Sequence, residues 1–344
     1  MASTTLPSTM KTILQVSRQS TELTSTTAPV PTPSHPDDVL VRVHATAPCA
    51  GELNWIVMFP DLFPADKELV PGQDVAGTVV SAPAGSGFAP GDRVYGRIHA
   101  TRAGAARDYT LPRASELAKI PPSLNWIEAA ATPLSALTAW QALFVHGTLD
   151  AAAVTKNDAA ARERNARVRV LITAAGGGVG SWAVQFAALA GAKAVVAVCG
   201  PSKEDAVRAL GATEVVNYKE TSIEEWVAAD PAGRECDLVV EMVGGKTLAG
   251  CWVAVRAGGA LISIHTPPEM GKPAGLEKEL AKSLFFIVEP LGSNLAEISE
   301  LIEAGRVKPT VDSVWEFADY KKAFERLESG HANGKIVIKV SDEA

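Results

Sequence analysis

The sequence predicts an α/β plus β chain in which an antiparallel, barrel-like β region is joined to a doubly wound parallel sheet. Three observations carry this. Between Met10 and Ile120, short alternating runs such as VLVRVH (Val39 to His44) and GTVV (Gly77 to Val80) are separated by Pro, Gly and Asp, as in half-buried strands joined by tight turns. From Asn125 the texture changes to the Ala-rich helical stretch IEAAATPLSALTAWQALF, interrupted at Pro133, so a domain boundary is expected near Trp126. Beyond Val168, β-branched apolar runs alternate with helical segments, which specifies parallel strands with crossover helices.

Within the β region, APGD (Ala89 to Asp92) followed by RVY predicts a tight corner, because Pro and Gly supply the dihedrals of a turn. The polar, Ala-rich Asp150 to Arg167 reads as an exposed, partly helical insertion. After it the spacing predicts a helix over Ser181 to Ala190, a buried strand over Ala194 to Cys199, a helix over Lys203 to Leu210 and a strand over Glu214 to Asn217. Further strands follow at Asp237 to Met242 and Ala260 to His265. A helix over Leu295 to Ala304, a strand around Val311 to Phe317, a helix from Ala318 and a strand over Lys335 to Val340 complete the chain.

The 344 residues exceed what one core usually organises, so two domains are expected. A net charge of −7 argues against nucleic acid or an anionic membrane surface as partner, and no apolar run reaches the ~20 residues of a membrane span. Cys49, Cys199, Cys236 and Cys251 are scattered without a CxxC pair, which fits neither structural zinc nor a disulfide framework. The first nine residues are rich in Ser and Thr but lack both an apolar core and arginine, so a cytosolic protein is expected.

VRVLITAAGGGVG (Val168 to Gly180) places a short strand, a glycine cluster and a helix start in succession. Such a turn suits a dinucleotide pyrophosphate. Ala175, Gly177 and Gly180 hold the three small-residue positions that make the turn, admit phosphate to the backbone and let helix meet strand. The N–H groups of the helix start, through Gly178 and Val179, form the anion site. The next strand ends at Cys199 and Gly200, where an NAD-preferring site carries an acid for the ribose 2′-hydroxyl. Ser202 and Lys203 stand there with a hydroxyl and a cation, which favours the 2′-phosphate of NADPH. Ser202 also suits a helix cap, and the two roles are compatible.

These segments, with PGQDVAG (Pro71 to Gly77), GDRVY (Gly91 to Tyr95), PLSALTAWQAL (Pro133 to Leu143), GATEVVN (Gly211 to Asn217), Val288 to Pro290 and LESGHANGKIV (Leu327 to Val337), resemble the zinc-free quinone oxidoreductase-like branch of the medium-chain dehydrogenase/reductase superfamily. The resemblance implies a GroES-like catalytic domain over 1–130 plus 291–344, with a Rossmann NADP(H)-binding domain over 131–290 and the cofactor between them. It implies that Thr138, at the start of a helix, approaches the nicotinamide, that Ser263 to Thr266 and the backbone from Phe286 to Val288 border it, and that Asn333 and Lys335 face the cofactor or the active-site mouth. It also implies a monomer, or a homodimer formed through an edge strand near Ser283 to Val288.

Zinc-dependent relatives hold the metal with an early-loop cysteine, the histidine of a Gly-His-Glu motif and a third Cys or Asp. Here Cys49 lies in the first region, but Gln73 and Asp74 follow Gly72, and a neutral amide is a poor zinc ligand. No metal is therefore expected, and Cys49 reads more readily as a small buried residue. Without a Lewis acid, a conjugated acceptor is the easier hydride acceptor, because it spreads charge into an enolate or quinol oxygen.

Zinc-free relatives carry an Asn-Pro-x-Asp type sequence where Cys49, Ala50, Gly51 and Glu52 stand here; Glu52 keeps the acid, whereas Cys49 does not replace the amide. Asn54, Trp55, Met58 and Phe59 would cover a flat, apolar substrate. His265, at the carboxyl end of an apolar strand, is a candidate proton donor or a strand-end residue bonded to backbone. The expectation is an NADPH-dependent reductase of an α,β-unsaturated carbonyl compound or quinone, acting on a small molecule without zinc. A lyase, cyclase or isomerase on the same fold with NADP(H) structural or absent, and a non-catalytic binding protein, are the competing readings.

Overall fold

In a computed structural model the described residues are 6–343. They form two compact units. The first comprises the described residues up to Leu134, then Glu289–Glu303 and Pro309 onward; the second comprises Ser135–Val288 and Ala304–Lys308.

In chain order the first unit contributes β1 (Thr9–Gln15), β2 (Leu23–Pro29), β3 (Leu40–Ala47), β4 (Asp74–Ser81), β5 (Arg93–Arg97), β6 (Tyr109–Thr110) and β7 (Leu117–Lys119). The second contributes β8 (Arg169–Ile172), β9 (Ala194–Cys199), β10 (Glu214–Asn217), β11 (Cys236–Glu241), β12 (Val255–Ser263) and β13 (Lys282–Phe285). The chain then returns to the first unit for β14 (Val311–Glu316) and β15 (Lys335–Lys339).

The first unit is built on a seven-stranded sheet in the order β14-β15-β3-β4-β5-β7, with β6 on β3, beside the hairpin β1-β2. Its inward apolar residues include Val41, Val43, Val75, Val94 and Ile98. The predicted corner is present, with Asp92 N–H donating to Ala89 O at 3.0 Å and Ala89 N–H to the Asp92 carboxylate at 2.9 Å. Tyr95 is fully buried, and its hydroxyl pairs with Ser299 Oγ at 2.6 Å. That is how a core tyrosine keeps its polar tip satisfied.

The second unit is a six-stranded parallel sheet in the order β10-β9-β8-β11-β12-β13. Counted within the unit this is 3-2-1-4-5-6, the doubly wound order of dinucleotide-binding folds. Every residue of β9 is buried, which explains its unbroken apolar run: a central parallel strand is covered on both faces. β13 ends the sheet.

The segment 150–167 is partly helical, as expected, and is anchored to the second unit through a few buried residues. It forms helices Ala152–Thr155 and Ala159–Asn165, and buried Asn165 exchanges hydrogen bonds with Asp150 and donates to Ala190 O at 3.0 Å. The short return Ala304–Lys308 belongs to the second unit because the Gln185 amide brackets the backbone N–H and C=O of Lys308 and Arg306 donates to Val154 O.

An aromatic cluster closes the second unit's core. Phe186 meets Trp140 edge-on at 5.3 Å and Trp182 at 5.4 Å between ring centroids, and Phe144 stacks obliquely on Trp140 at 4.7 Å. Phe186→Ala is expected to cost about 3–5 kcal/mol through lost contacts and the cavity left behind. Guanidinium unfolding followed by tryptophan fluorescence measures it directly, since two of the neighbours are the reporters; a loss under ~1 kcal/mol would show that the site collapses freely.

Candidate functional site

In the second unit β8 runs into the helix Gly178–Leu189 through the glycine loop. Ala174 takes a positive φ of 45° at the turn. Ala175 N–H ties the loop to β9 by donating to Val198 O at 3.1 Å. Gly177 is the helix N-cap, and no side chain caps it. The first-turn N–H groups therefore lack helical acceptors, an arrangement able to take an anion. Gly177, Gly178 and Val179 are half-buried, whereas Gly180 is buried. A methyl group on Gly180 would overlap Ala174 O and come within 2.6 Å of Ala175 Cα, so glycine is required there for helix to meet loop.

The aliphatic stem of Lys203 crosses the loop: a Cβ on Gly176 would stand 2.5 Å from Lys203 Cδ. Ser202 is exposed and does not cap the next helix, whose N-cap residue is Lys203. Beside them is a residue the sequence reading did not single out. Tyr218, 56% exposed at the end of β10, brings its hydroxyl within 3.1 Å of where a Gly200 Cβ would lie. The signal was available, because strand order 3-2-1 brings the end of β10 beside the end of β9. No carboxylate stands at the β9 end itself, and the Glu204 carboxylate is turned to Asn217 Nδ2 at 3.0 Å. Loop, uncapped helix and strand end fit a nicotinamide dinucleotide: the loop and helix would hold its pyrophosphate, and Ser202, Lys203 and Tyr218 its adenosine ribose.

At the ends of β11 and β12, buried Glu241 accepts from the N–H groups of Val243 and Gly244, both at 2.6 Å, and from Ser263 Oγ at 2.9 Å. Ser263 is fully buried, and its oxygen takes the N–H groups of His265 and Thr266. The Ser263 hydroxyl thus braces two strand ends. His265 is exposed, with Nδ1 2.7 Å from Thr266 Oγ1. Phe286 is buried against the His146 ring at 4.5 Å, and Val288 is buried two residues on. Thr138 lies in the interior of the helix Pro133–Trp140 rather than at its start, because Pro133, not Thr138, begins the helix. It is 3% exposed, three residues before the π-turn Gln141–Val145.

In the first unit Cys49 and Glu52 frame the start of the helix Glu52–Met58. Glu52 is buried and accepts from Cys49 N–H at 2.9 Å and Gly72 N–H at 2.7 Å, so its role is to knit the loop to the segment before β4. Burial raises its carboxyl to about 7, against the pull of those two N–H groups. Cys49 is partly exposed rather than a fully buried residue, yet desolvation lifts its thiol to about 11. Asn54 and Trp55 are half-buried, Met58 is 64% exposed and Phe59 49%, so the segment presents an apolar outer face.

Lys335, expected to face the cofactor or the active-site mouth, has its ammonium buried within the first unit. It is 5% exposed, and its ammonium donates to Pro48 O at 2.8 Å and pairs with Asp74 Oδ2 at 3.1 Å. Burial opposes its charge, but Asp74, Cys49 and Glu52 hold it above the ordinary lysine value. Asp74, fully buried, also accepts Leu134 N–H at 2.7 Å through Oδ1. Asn333 is exposed, and its backbone N–H donates to Asp312. Gln73 is 4% exposed, and its Oε1 has no hydrogen-bond partner among the described residues. No group of three or more His, Cys, Asp and Glu side chains converges on a common point among the described residues.

Residues 35–122 match the alcohol dehydrogenase GroES-like domain family, and residues 210–338 match the zinc-binding dehydrogenase family. An Arthroderma benhamiae protein named a probable mitochondrial zinc-binding oxidoreductase is 49% identical over 93% of this chain and 94% of its own length. A chloroplastic quinone-oxidoreductase homolog of Spinacia oleracea is 33% identical over 90% and 91%, and a mitochondrial NAD(P)H oxidoreductase of Danio rerio 28% over 92% and 87%. Among solved structures, the quinone oxidoreductase of Coxiella burnetii superposes with a TM-score of 0.75 at 22% identity, covering 97% of this chain and all of that one. The chain belongs to the medium-chain dehydrogenase/reductase superfamily and is quinone oxidoreductase-like. Its relatives are oxidoreductases, and the Danio rerio protein is named for NAD(P)H.

The expectation of a cytosolic protein is corrected by these relatives, which are named mitochondrial or chloroplastic. That expectation rested on the composition of the first nine residues, of which the first five lie outside the described ones. No described helix is long and apolar enough to cross a membrane.

Gly177→Val and Gly180→Val should separate binding from folding. Gly177 has φ −87°, open to any residue, and a Cβ there would lie 3.2 Å from Ala174 O. Valine at 177 should abolish dinucleotide binding in calorimetry with little loss of thermal stability, whereas valine at 180 should lose both; intact binding by Gly177→Val would contradict the loop's role. A second expectation concerns pH. Because Glu52 titrates near 7 rather than 4.5, its contribution to stability is complete below about 4.5 and is lost as pH rises through 7. Glu52→Gln should therefore flatten the melting temperature between pH 5 and 8, and an unchanged slope would contradict the assignment.

Proposed function

We propose that the chain is an NADPH-dependent reductase that delivers hydride to an α,β-unsaturated carbonyl compound or a quinone without zinc. The observation that carries this reading is the chemistry beside Cys49. Where a metal-holding relative needs thiolate, imidazole and a free carboxylate, this chain has a thiol lifted to about 11, the Gln73 amide, and a buried ammonium, Lys335, already paired with Asp74. A buried cation repels a divalent one, and a neutral amide is a weak donor to it. This donor set is set against the zinc-binding name of the fungal relative.

Without a Lewis acid, the acceptor must spread its own developing charge, which an enone or a quinone does into oxygen. The exposed apolar face of Met58 and Phe59 suits such a flat, conjugated compound. NADPH, when bound, supplies the hydride. The uncapped helix start holds its diphosphate, while Ser202, Lys203 and Tyr218 offer two hydroxyls and a cation to a 2′-phosphate, with no acid at the strand end to repel it.

Oxidation of NADPH and NADH with a panel of enones, quinones and simple ketones tests the reaction. Turnover of conjugated acceptors that survives dialysis against a chelator is expected; activity restored only by zinc would overturn the metal-free reading. Lys203→Glu should raise KM for NADPH ~10-fold or more, since a charge-assisted contact to phosphate becomes a repulsion, and leave NADH nearly unchanged. Equal loss with both cofactors would remove the 2′-phosphate assignment.

A further inference from the structure

Beside the helix Glu52–Met58 lies a small, partly open cavity with room for about 20 Å³, lined among others by Gln15, Glu52, Trp55, Lys67, Gln73 and Ala100. A volume of that size seats one water. The polar groups around it are unequally satisfied. Gln15 Nε2 donates to Leu53 O and Ser20 O, and both Glu52 oxygens take backbone N–H groups. Gln73 Oε1, by contrast, is buried with no partner among the described residues. Lys67 Nζ donates to Arg102 O at 2.7 Å, and an ammonium has three protons to place. One buried acceptor and a cation with further donors thus line the same one-water space, next to Trp55 of the substrate cover.

We propose that this space is the proton-delivery site: a water held between Lys67 Nζ and Gln73 Oε1 carries a proton from the ammonium to the oxygen of the reduced acceptor. The proposal rests on the reductase reading above. Hydride from reduced nicotinamide leaves the acceptor with two more electrons and an anionic oxygen. An O–H bond of the water breaks toward that oxygen while an N–H bond of Lys67 breaks toward the water. Lys67 is left as the neutral amine and regains its proton from solvent through its half-exposed side chain.

The surroundings suit an acid working near neutrality. Burial is the main cause that lowers Lys67 to about 8; Glu52 and Glu68 oppose this, and Arg107 and Arg18 reinforce it. Each charged neighbour is itself fixed: Arg18 to the carbonyls of Pro60, Phe63 and Pro64, Arg107 to Glu68 at 2.7 Å, and Glu52 to its two N–H groups. A general acid whose pKa lies close to the working pH transfers its proton most effectively.

Three variants of the full chain test the proposal: Lys67→Arg, which keeps charge but cannot release the proton, Lys67→Met, and Gln73→Leu. For the wild type, kcat with a conjugated acceptor should fall tenfold per pH unit above about 8. Both Lys67 variants should lose that limb and ~100-fold in kcat, with KM and dinucleotide affinity within twofold of wild type and melting temperatures reported alongside. Gln73→Leu should lower kcat while keeping the limb. Two readouts need no turnover: carbon-13 NMR of labelled lysine in the cofactor-free protein should give one resonance titrating near 8 that Lys67→Arg removes, and a high-resolution crystal structure should hold a water within hydrogen-bond distance of Lys67 Nζ and Gln73 Oε1. Wild-type kcat with the limb intact in Lys67→Arg, or a dry space, would overturn this proposal while leaving the reductase standing. A wild type that oxidises neither cofactor with any acceptor overturns the reductase reading itself, and the proton's destination with it.

Discussion

The Lys335 ammonium is the charge around which the first unit is arranged. It stands in the interior, held by Pro48 O and Asp74, and taking such a group out of water is tolerated only where its partners are fixed and complete. Each partner is fixed by another part of the chain. Asp74 begins β4 and takes Leu134 N–H with its other oxygen, Pro48 closes β3, and Lys335 opens β15, which pairs with β3. The loop carrying Cys49 and Glu52 is thereby held between three strands that are distant in sequence, and the helix beside which Gln73 and Lys67 meet starts from that loop. Removing one member of the pair would strand the other charge inside, a loss on the order of 3–5 kcal/mol.

The second unit reaches its geometry by a different route, with backbone rather than charge. Its phosphate-facing loop needs small residues because the helix start, the preceding turn and the neighbouring strand meet there, as the contact between Gly180 and Ala174 O makes plain. Glu241 plays a comparable part at the ends of β11 and β12, on the same carboxyl edge of the sheet, converting one carboxylate into a brace for two loops. Rigid strand ends with uncommitted N–H groups are what allow a ligand to be oriented without reorganisation of the protein.

What could be read from sequence was what local pattern determines. The bounds of β9 and β10 follow from unbroken β-branched runs, and the glycine loop from its strict order of strand, turn and helix. The doubly wound sheet follows from their alternation. The fate of single polar side chains was much less legible. Lys335 follows a glycine with no local pattern to mark it as buried, and its partners Asp74 and Pro48 come from distant parts of the chain. The resemblance puts Thr138 at a helix start, whereas Pro133 at the first helical position begins that helix and leaves Thr138 in its interior. Tyr218 and Lys67 belong to neither motif, and their neighbours come from other elements: Gly200 for the first, Glu52 and Arg102 for the second.

The bracket that the Gln185 amide places on Lys308 also bears on the order in which the molecule can be completed during synthesis. The parallel sheet has all its strands once Phe285 has been made, but its last stitch arrives with residues 304–308, after the chain has already laid down the helix Gly292–Glu303 of the other unit. β15, the strand that carries the central ammonium and pairs with β3, is made after every other strand of its sheet. Until β15 has been made, Asp74 has no Lys335 to pair with, and the loop of Cys49 and Glu52 lacks the contact that Lys335 makes with Pro48.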